Sequence, residues 1–138
     1  MDFISHSEQD TIDIARNIAP DFKAGDVVAL FGDLGAGKSV FCRSLIRMLL
    51  SDPDLNVPSP TFSLVQTYEA PEFEIWHFDL YRLENPEDLY ELGWEEALSG
   101  NLTLIEWPER IAPLLPEETI RISIRETGED GRVITIDT

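Results

Sequence analysis

Lysine is almost missing from this sequence. Lys23 and Lys38 are the only two in 138 residues, and the ten Lys and Arg side chains face 27 Asp and Glu, for a formal net charge of -17. Such a surface repels polyphosphate backbones, because nucleic-acid binding draws its affinity from Lys and Arg displacing counterions. Direct tRNA or DNA binding is therefore not expected, and a role in a nucleic-acid pathway would require a basic partner to do the holding. Cysteine is equally scarce. Cys42 stands alone, which excludes an internal disulfide, and with only His6 and His77 beside it no zinc constellation can be assembled. No apolar run nears the roughly 20 residues that span a bilayer, and Met1 to Asp10 is polar where a signal peptide is apolar. The expectation is a cytoplasmic protein without a membrane segment.

What remains is the composition of a globular protein, 43% hydrophobic and 27% charged, at a length that suits one domain over residues 1–138. Ser5-His6-Ser7-Glu8 reads as a capping box, with Ser5 as the cap, for a helix running to about Ala19 and stopped by Pro20. Asp26 to Phe31 is the short apolar run of a strand covered on both faces, and from Lys38 onward Phe41, Leu45, Ile46 and Leu49 recur at helical spacing. Phe62–Tyr68 and Phe73–Asp79 read as a hairpin turning near Pro71. Pro86 to Leu98 reads as short acidic helix, Leu102–Glu106 as another buried strand, and Pro108 opens a helical turn. Ile120, Ile122 and Ile124 alternate against Ile134 and Ile136 across a glycine-bounded loop. The expected fold is α/β, a three-layer P-loop NTPase-like domain whose mixed sheet is parallel around the Gly-rich loop and antiparallel where hairpins join it.

Between the first strand and its helix lies Gly32-Asp33-Leu34-Gly35-Ala36-Gly37-Lys38-Ser39. The Gly-x-x-x-x-Gly-Lys-Ser pattern arises by chance in about one sequence of this length in two hundred, so its position after a strand and before a helix is what gives it weight. Glycine backbones let the N–H groups from Leu34 through Ser39 turn towards a phosphate at a helix terminus. Lys38 adds a mobile positive charge for the β- and γ-phosphates, and Ser39 offers a hydroxyl to Mg²⁺. A carboxylate at the end of an apolar strand must complete the metal side, and two are available, Asp79 and Glu106. Glu106 ends the more uniformly apolar strand and is assigned to the metal, while Asp79 is assigned to the attacking water. Thr61, in Ser59-Pro60-Thr61-Phe62, sits where a γ-phosphate sensor is found in many P-loop proteins. His77 reads as a packed core residue, Cys42 as a buried thiol, and Arg82 and Arg110 equally as transition-state donors or as ion-pair partners. No Asn/Thr-Lys-x-Asp segment exists, so adenine is favoured over guanine.

Together with the Gly-rich loop, Ser59-Pro60-Thr61-Phe62, His77-Phe78-Asp79-Leu80-Tyr81-Arg82 and Ile105-Glu106-Trp107-Pro108-Glu109 resemble the TsaE (YjeE) family in order and spacing. The resemblance implies a bacterial cytosolic ATPase that supports formation of N6-threonylcarbamoyladenosine (t6A) in tRNAs reading ANN codons. In that family the TsaB–TsaD pair performs the transfer, from an adenylate made by TsaC, and TsaE binds the pair and hydrolyses ATP. It also implies that Ser39 and Glu106 hold magnesium, that Asp79 serves hydrolysis, that Trp107 is an aromatic beside the site, and that the first helix near Ser7 closes on the base. Ser39 replaces the more common Thr of the family and keeps its hydroxyl. No role attaches to the C-terminal hairpin. A small-molecule kinase and a nucleotide-gated binding module remain as alternatives.

Overall fold

The computed structural model describes residues 1–137. Seven strands form one sheet: β1 (Asp2–Ser5), β2 (Val27–Phe31), β3 (Val65–Glu69), β4 (Glu74–Asp79), β5 (Leu102–Glu106), β6 (Ile120–Glu126) and β7 (Arg132–Asp137). Their spatial order is β1-β7-β6-β2-β5-β4-β3. The central strands β4, β5, β2 and β6 are mutually parallel, whereas β3, β7 and β1 join antiparallel. The mixed sheet is the one the apolar runs and turn signals imply.

Two faces of that sheet are covered, and the strand alternation shows how. Ile75, Leu102, Leu104, Val28 and Leu30 point to one side, where they pack with Phe41, Leu45 and Ile46 of α2 (Lys38–Leu49) and Ala15 of α1 (Glu8–Ile18). Trp76, Phe78, Ile105 and Val27 point to the other, against Leu89, Trp94, Ala97 and Ile111 from the 3₁₀ segments Pro86–Leu92 and Pro108–Leu114 and the short α3 (Trp94–Ala97). Burying two large apolar faces at about 25 cal/mol per Å² is what makes the central strands read as continuous hydrophobic runs.

Three local expectations change. The cap of α1 is Ser7, not Ser5: its hydroxyl accepts from the Asp10 amide at 3.1 Å, while the Asp10 carboxylate accepts from the His6 amide at 2.9 Å. Ser5 instead ends β1 and bonds Thr11 Oγ1 at 2.7 Å. β1 itself has no counterpart in the sequence reading, because four edge residues pairing with β7 leave no local periodicity to detect. The third strand starts at Val65 rather than Phe62, since residues 61–63 form a turn closed by the Leu64 amide on the Pro60 carbonyl at 2.8 Å.

Candidate active site

β2 ends at Phe31 and delivers the chain into the Gly-rich loop, which closes into α2 at Lys38. Gly37 caps that helix in the left-handed region at φ 112°, a conformation glycine adopts without the steric cost of a Cβ. Gly32 is fixed by space: a Cβ there would lie 2.8 Å from the Ile124 carbonyl oxygen of β6. The loop thus lies against β6, and the β6–β7 hairpin grips it a second time, because Arg132 Nε donates to the Ala36 carbonyl at 2.8 Å.

Lys38 is buried, with its Nζ donating to the Gly32 carbonyl at 2.5 Å and lying 3.2 Å from the centroid of the Trp107 ring. Burial pushes its pKa down, and Glu106, Glu109, Asp79 and Asp33 hold it up against that loss of solvation. Trp107 is placed by a left-handed backbone, φ 59° and ψ 50°. That conformation is costly for a bulky residue and is typical of sites where the surroundings dictate geometry. Tyr81 packs on the same ring at 4.9 Å between centroids.

The two candidate carboxylates are neighbours, Asp79 of β4 standing in register with Glu106 of β5. Both are buried at the strand ends. Glu106 Oε1 accepts from Ser39 Oγ at 3.0 Å, and its Oε2 lies 2.7 Å from His77 Nε2. Asp79 Oδ2 accepts from Ser59 Oγ at 3.2 Å and Thr61 Oγ1 at 3.5 Å, and Oδ1 accepts from the Tyr81 amide at 3.1 Å. Ser39 and Glu106 are oxygen donors, the type a hard cation such as Mg²⁺ takes. Cys42 is fully buried, as expected, and burial raises its thiol pKa well above the ordinary range.

One cavity of about 370 Å³ gathers Leu34, Gly35, Gly37, Lys38, Ser39, Thr61, Asp79, Glu106 and Trp107. A second, of about 250 Å³, also borders the Gly-rich loop and is lined by Ser7, Thr11, Gly35, Ala36, Gly37 and Arg132. All the candidate residues therefore line one of these two cavities, Ser7 and Ala36 the second.

Residues 5–134 match the family described as threonylcarbamoyl adenosine biosynthesis protein TsaE. The chain belongs to the TsaE family. Among its relatives, the tRNA threonylcarbamoyladenosine biosynthesis protein TsaE of Rickettsia bellii is 48% identical over 133 residues, 96% of this chain and 92% of that protein. The proteins of the same name from Treponema pallidum and Bacillus subtilis are each 37% identical, over 96% and 92% of this chain and 97% and 78% of their own lengths. A crystal structure of Bacillus subtilis YdiB superposes with a TM-score of 0.77 at 28% identity, covering 99% of this chain and 83% of that one.

Three residues of this TsaE-family site carry contacts to which the sequence assigns no role, although His77 and Ser59 fall inside the resembling segments. His77 is buried as a core residue would be, yet its ring contacts Glu106; the signal was available, since strand alternation puts His77 on the face of Asp79. Ser59 is bonded to Asp79 more closely than Thr61 is. Arg132 comes from a hairpin 96 residues away from Ala36 in sequence, and nothing local announces it. Neither Arg82 nor Arg110 lies within ion-pair distance of a carboxylate among the described residues. Arg82 lies over the Phe62 ring at 4.4 Å and reaches the wall of the larger cavity.

Proposed function

We propose that this TsaE-family protein binds ATP with Mg²⁺, hydrolyses it, and supports t6A formation in tRNAs reading ANN codons as a cytoplasmic, single-domain partner of the TsaB–TsaD pair. The observation that carries the reading is the Ser39–Glu106 hydrogen bond at 3.0 Å, in one cavity with Lys38 and Asp79. Ser39 and Glu106, joined at the start of α2, would hold Mg²⁺, which would supply positive charge to the phosphates alongside Lys38. Bound Mg²⁺ would draw electron density from the γ-phosphoryl oxygens.

Asp79 then has the complementary task of orienting or deprotonating the attacking water. Its carboxylate accepts from Ser59, Thr61 and the Tyr81 amide, and in this reading Thr61 couples γ-phosphate contact to the segment Ser59–Phe62. The cavity beside Ser7 and Arg132 is the space available for the adenosine.

The partner role rests on the family resemblance, and two features of the surface support it. Leu34, at the cavity wall, is 74% exposed and Phe62, beside Thr61, is 83% exposed. Exposed apolar side chains next to a site invite a protein partner, and the -17 charge disfavours direct contact with tRNA. The decisive test is t6A formation in a reaction reconstituted from purified TsaC, TsaB, TsaD and tRNA. Sustained product formation with this chain, lost with Lys38→Ala, is the expected result; equal product without the chain overturns the reading.

A further inference from the structure

His77 makes one polar contact and is otherwise sealed in the protein. It lies on β4 two residues before Asp79, so the alternation that aims Asp79 at the Gly-rich loop aims the imidazole there as well. The ring is only 2% exposed, its Nε2 is 2.7 Å from Glu106 Oε2, and its Nδ1 is buried with no hydrogen-bond partner among the described residues. The tautomer with its proton on Nε2 fits both facts, donating to a carboxylate that can only accept and leaving a bare lone pair at Nδ1. A leucine would fill that position without leaving a buried nitrogen unpaired. The ring's single bond to Glu106 is what distinguishes it from such a filler.

The need for that bond lies in the length of a glutamate. Its carboxylate turns on three side-chain bonds, and Lys38, whose charge interacts with that of Glu106, shares the cavity. Left free, the carboxylate would swing towards the ammonium and neutralise the cation that must meet phosphate. With Oε2 tied to His77, Oε1 stays on Ser39 Oγ at 3.0 Å. The ligand-type atoms of Cys42, His77 and Glu106 lie within 4.8 Å of one another, but both Glu106 oxygens are already engaged, Oε1 by Ser39 and Oε2 by His77. The trio is therefore read as a brace for the carboxylate rather than as a site for a soft metal.

We propose that His77 is a positioning residue for magnesium: it holds Glu106 in the rotamer that presents Oε1 beside Ser39. This rests on the reading of Ser39 and Glu106 as the magnesium side of the site. The bond also joins β4 to the parallel β5 through a side chain, tying the strand that carries Asp79 to the strand that carries Glu106.

The test is equilibrium binding of a fluorescent ATP analogue, in EDTA and across a MgCl₂ titration, to the full chain and to His77→Gln, His77→Asn and Glu106→Gln. A Gln amide reaches the level of Nε2 and an Asn amide only that of Nδ1, so the pair separates the hydrogen bond from polarity. His77→Asn is expected to raise the half-maximal Mg²⁺ concentration about tenfold or more, His77→Gln by no more than about threefold, with binding in EDTA unchanged in both. If Glu106→Gln leaves the magnesium response as it was, the metal reading itself fails. If Glu106→Gln shifts it while His77→Asn does not, or if the Asn and Gln variants shift it equally, the role of His77 is refuted. Nitrogen-15 NMR of histidine in the unmodified chain, which has only His6 and His77, gives a second reading that survives a folding defect in any variant. The buried ring is expected to carry its proton on Nε2 and to respond when MgCl₂ is added to the ATP complex; a proton on Nδ1, or no response, contradicts the proposal.

Discussion

Asp79 and Glu106 are register partners at the ends of the adjacent parallel strands β4 and β5, and each carboxylate is bound by a different set of hydroxyls. Glu106 takes Ser39 of the Gly-rich loop, whereas Asp79 takes Ser59 and Thr61 of the turn before β3. Like charges this close in a buried site are costly unless a cation or separate hydrogen bonds compensate them. Their division of partners is the structural basis for dividing their roles.

Replacing Asp79 by Asn keeps the shape and most hydrogen bonds but removes the base. Phosphate release is expected to fall by about 10² to 10⁴-fold while ATP affinity stays within about threefold, as for loss of general base catalysis. Rapid-quench single turnovers alongside equilibrium binding check this. A parallel loss of affinity would mean that Asp79 holds nucleotide or metal instead.

How much of this could be read in the chain of letters differs from residue to residue. β2, the Gly-rich loop and α2 were legible because an apolar run, a fixed motif and a 3.6-residue period follow one another without a gap. Glu106 and Asp79 were legible as carboxylates ending apolar strands, though nothing in sequence says that β4 and β5 lie side by side; that adjacency is set by packing across the whole sheet. Ser7 was placed near the nucleotide only through family resemblance, and its capping role was misassigned to Ser5 because both serines stand before an acid at plausible spacing. His77 was hidden by its resemblance to a core residue, and Arg132 by distance in sequence.

Arg132 leads to a separate expectation. Its guanidinium bonds the Ala36 carbonyl at 2.8 Å and so ties the Gly-rich loop to the β6–β7 hairpin. Arg132→Ala is expected to weaken ATP binding about tenfold, the order of one charge-assisted hydrogen bond at about 1.4 kcal/mol, while the turnover of saturated protein changes little. Calorimetric titration with ATP and Mg²⁺ measures the first, and phosphate release at saturating ATP the second.

Cys42 supplies a pH signature of the core beneath α2. Burial raises its pKa well above 9.0, so the folded chain keeps a proton that the unfolded chain loses as pH climbs past that value. Its contribution is therefore intact below about pH 9 and declines above it, by up to about 1.4 kcal/mol per pH unit until the folded-state pKa is reached. Urea unfolding of the parent chain and of Cys42→Ala at pH 7 to 10 isolates the effect, since Lys38 and Tyr68 titrate in both. The stability difference between the two should be constant below pH 9 and shrink above it.

The most direct measurement of the whole account is inorganic phosphate release from ATP by the purified chain, alone and with the TsaB–TsaD pair, in Mg²⁺ and in EDTA. Slow release alone, stimulation by the pair, and loss in EDTA, in Lys38→Ala and in Glu106→Ala are the predicted results. Release that is unaffected by the pair, or that persists in either variant, would contradict the assignment of this site as a partner-dependent, magnesium-requiring ATPase.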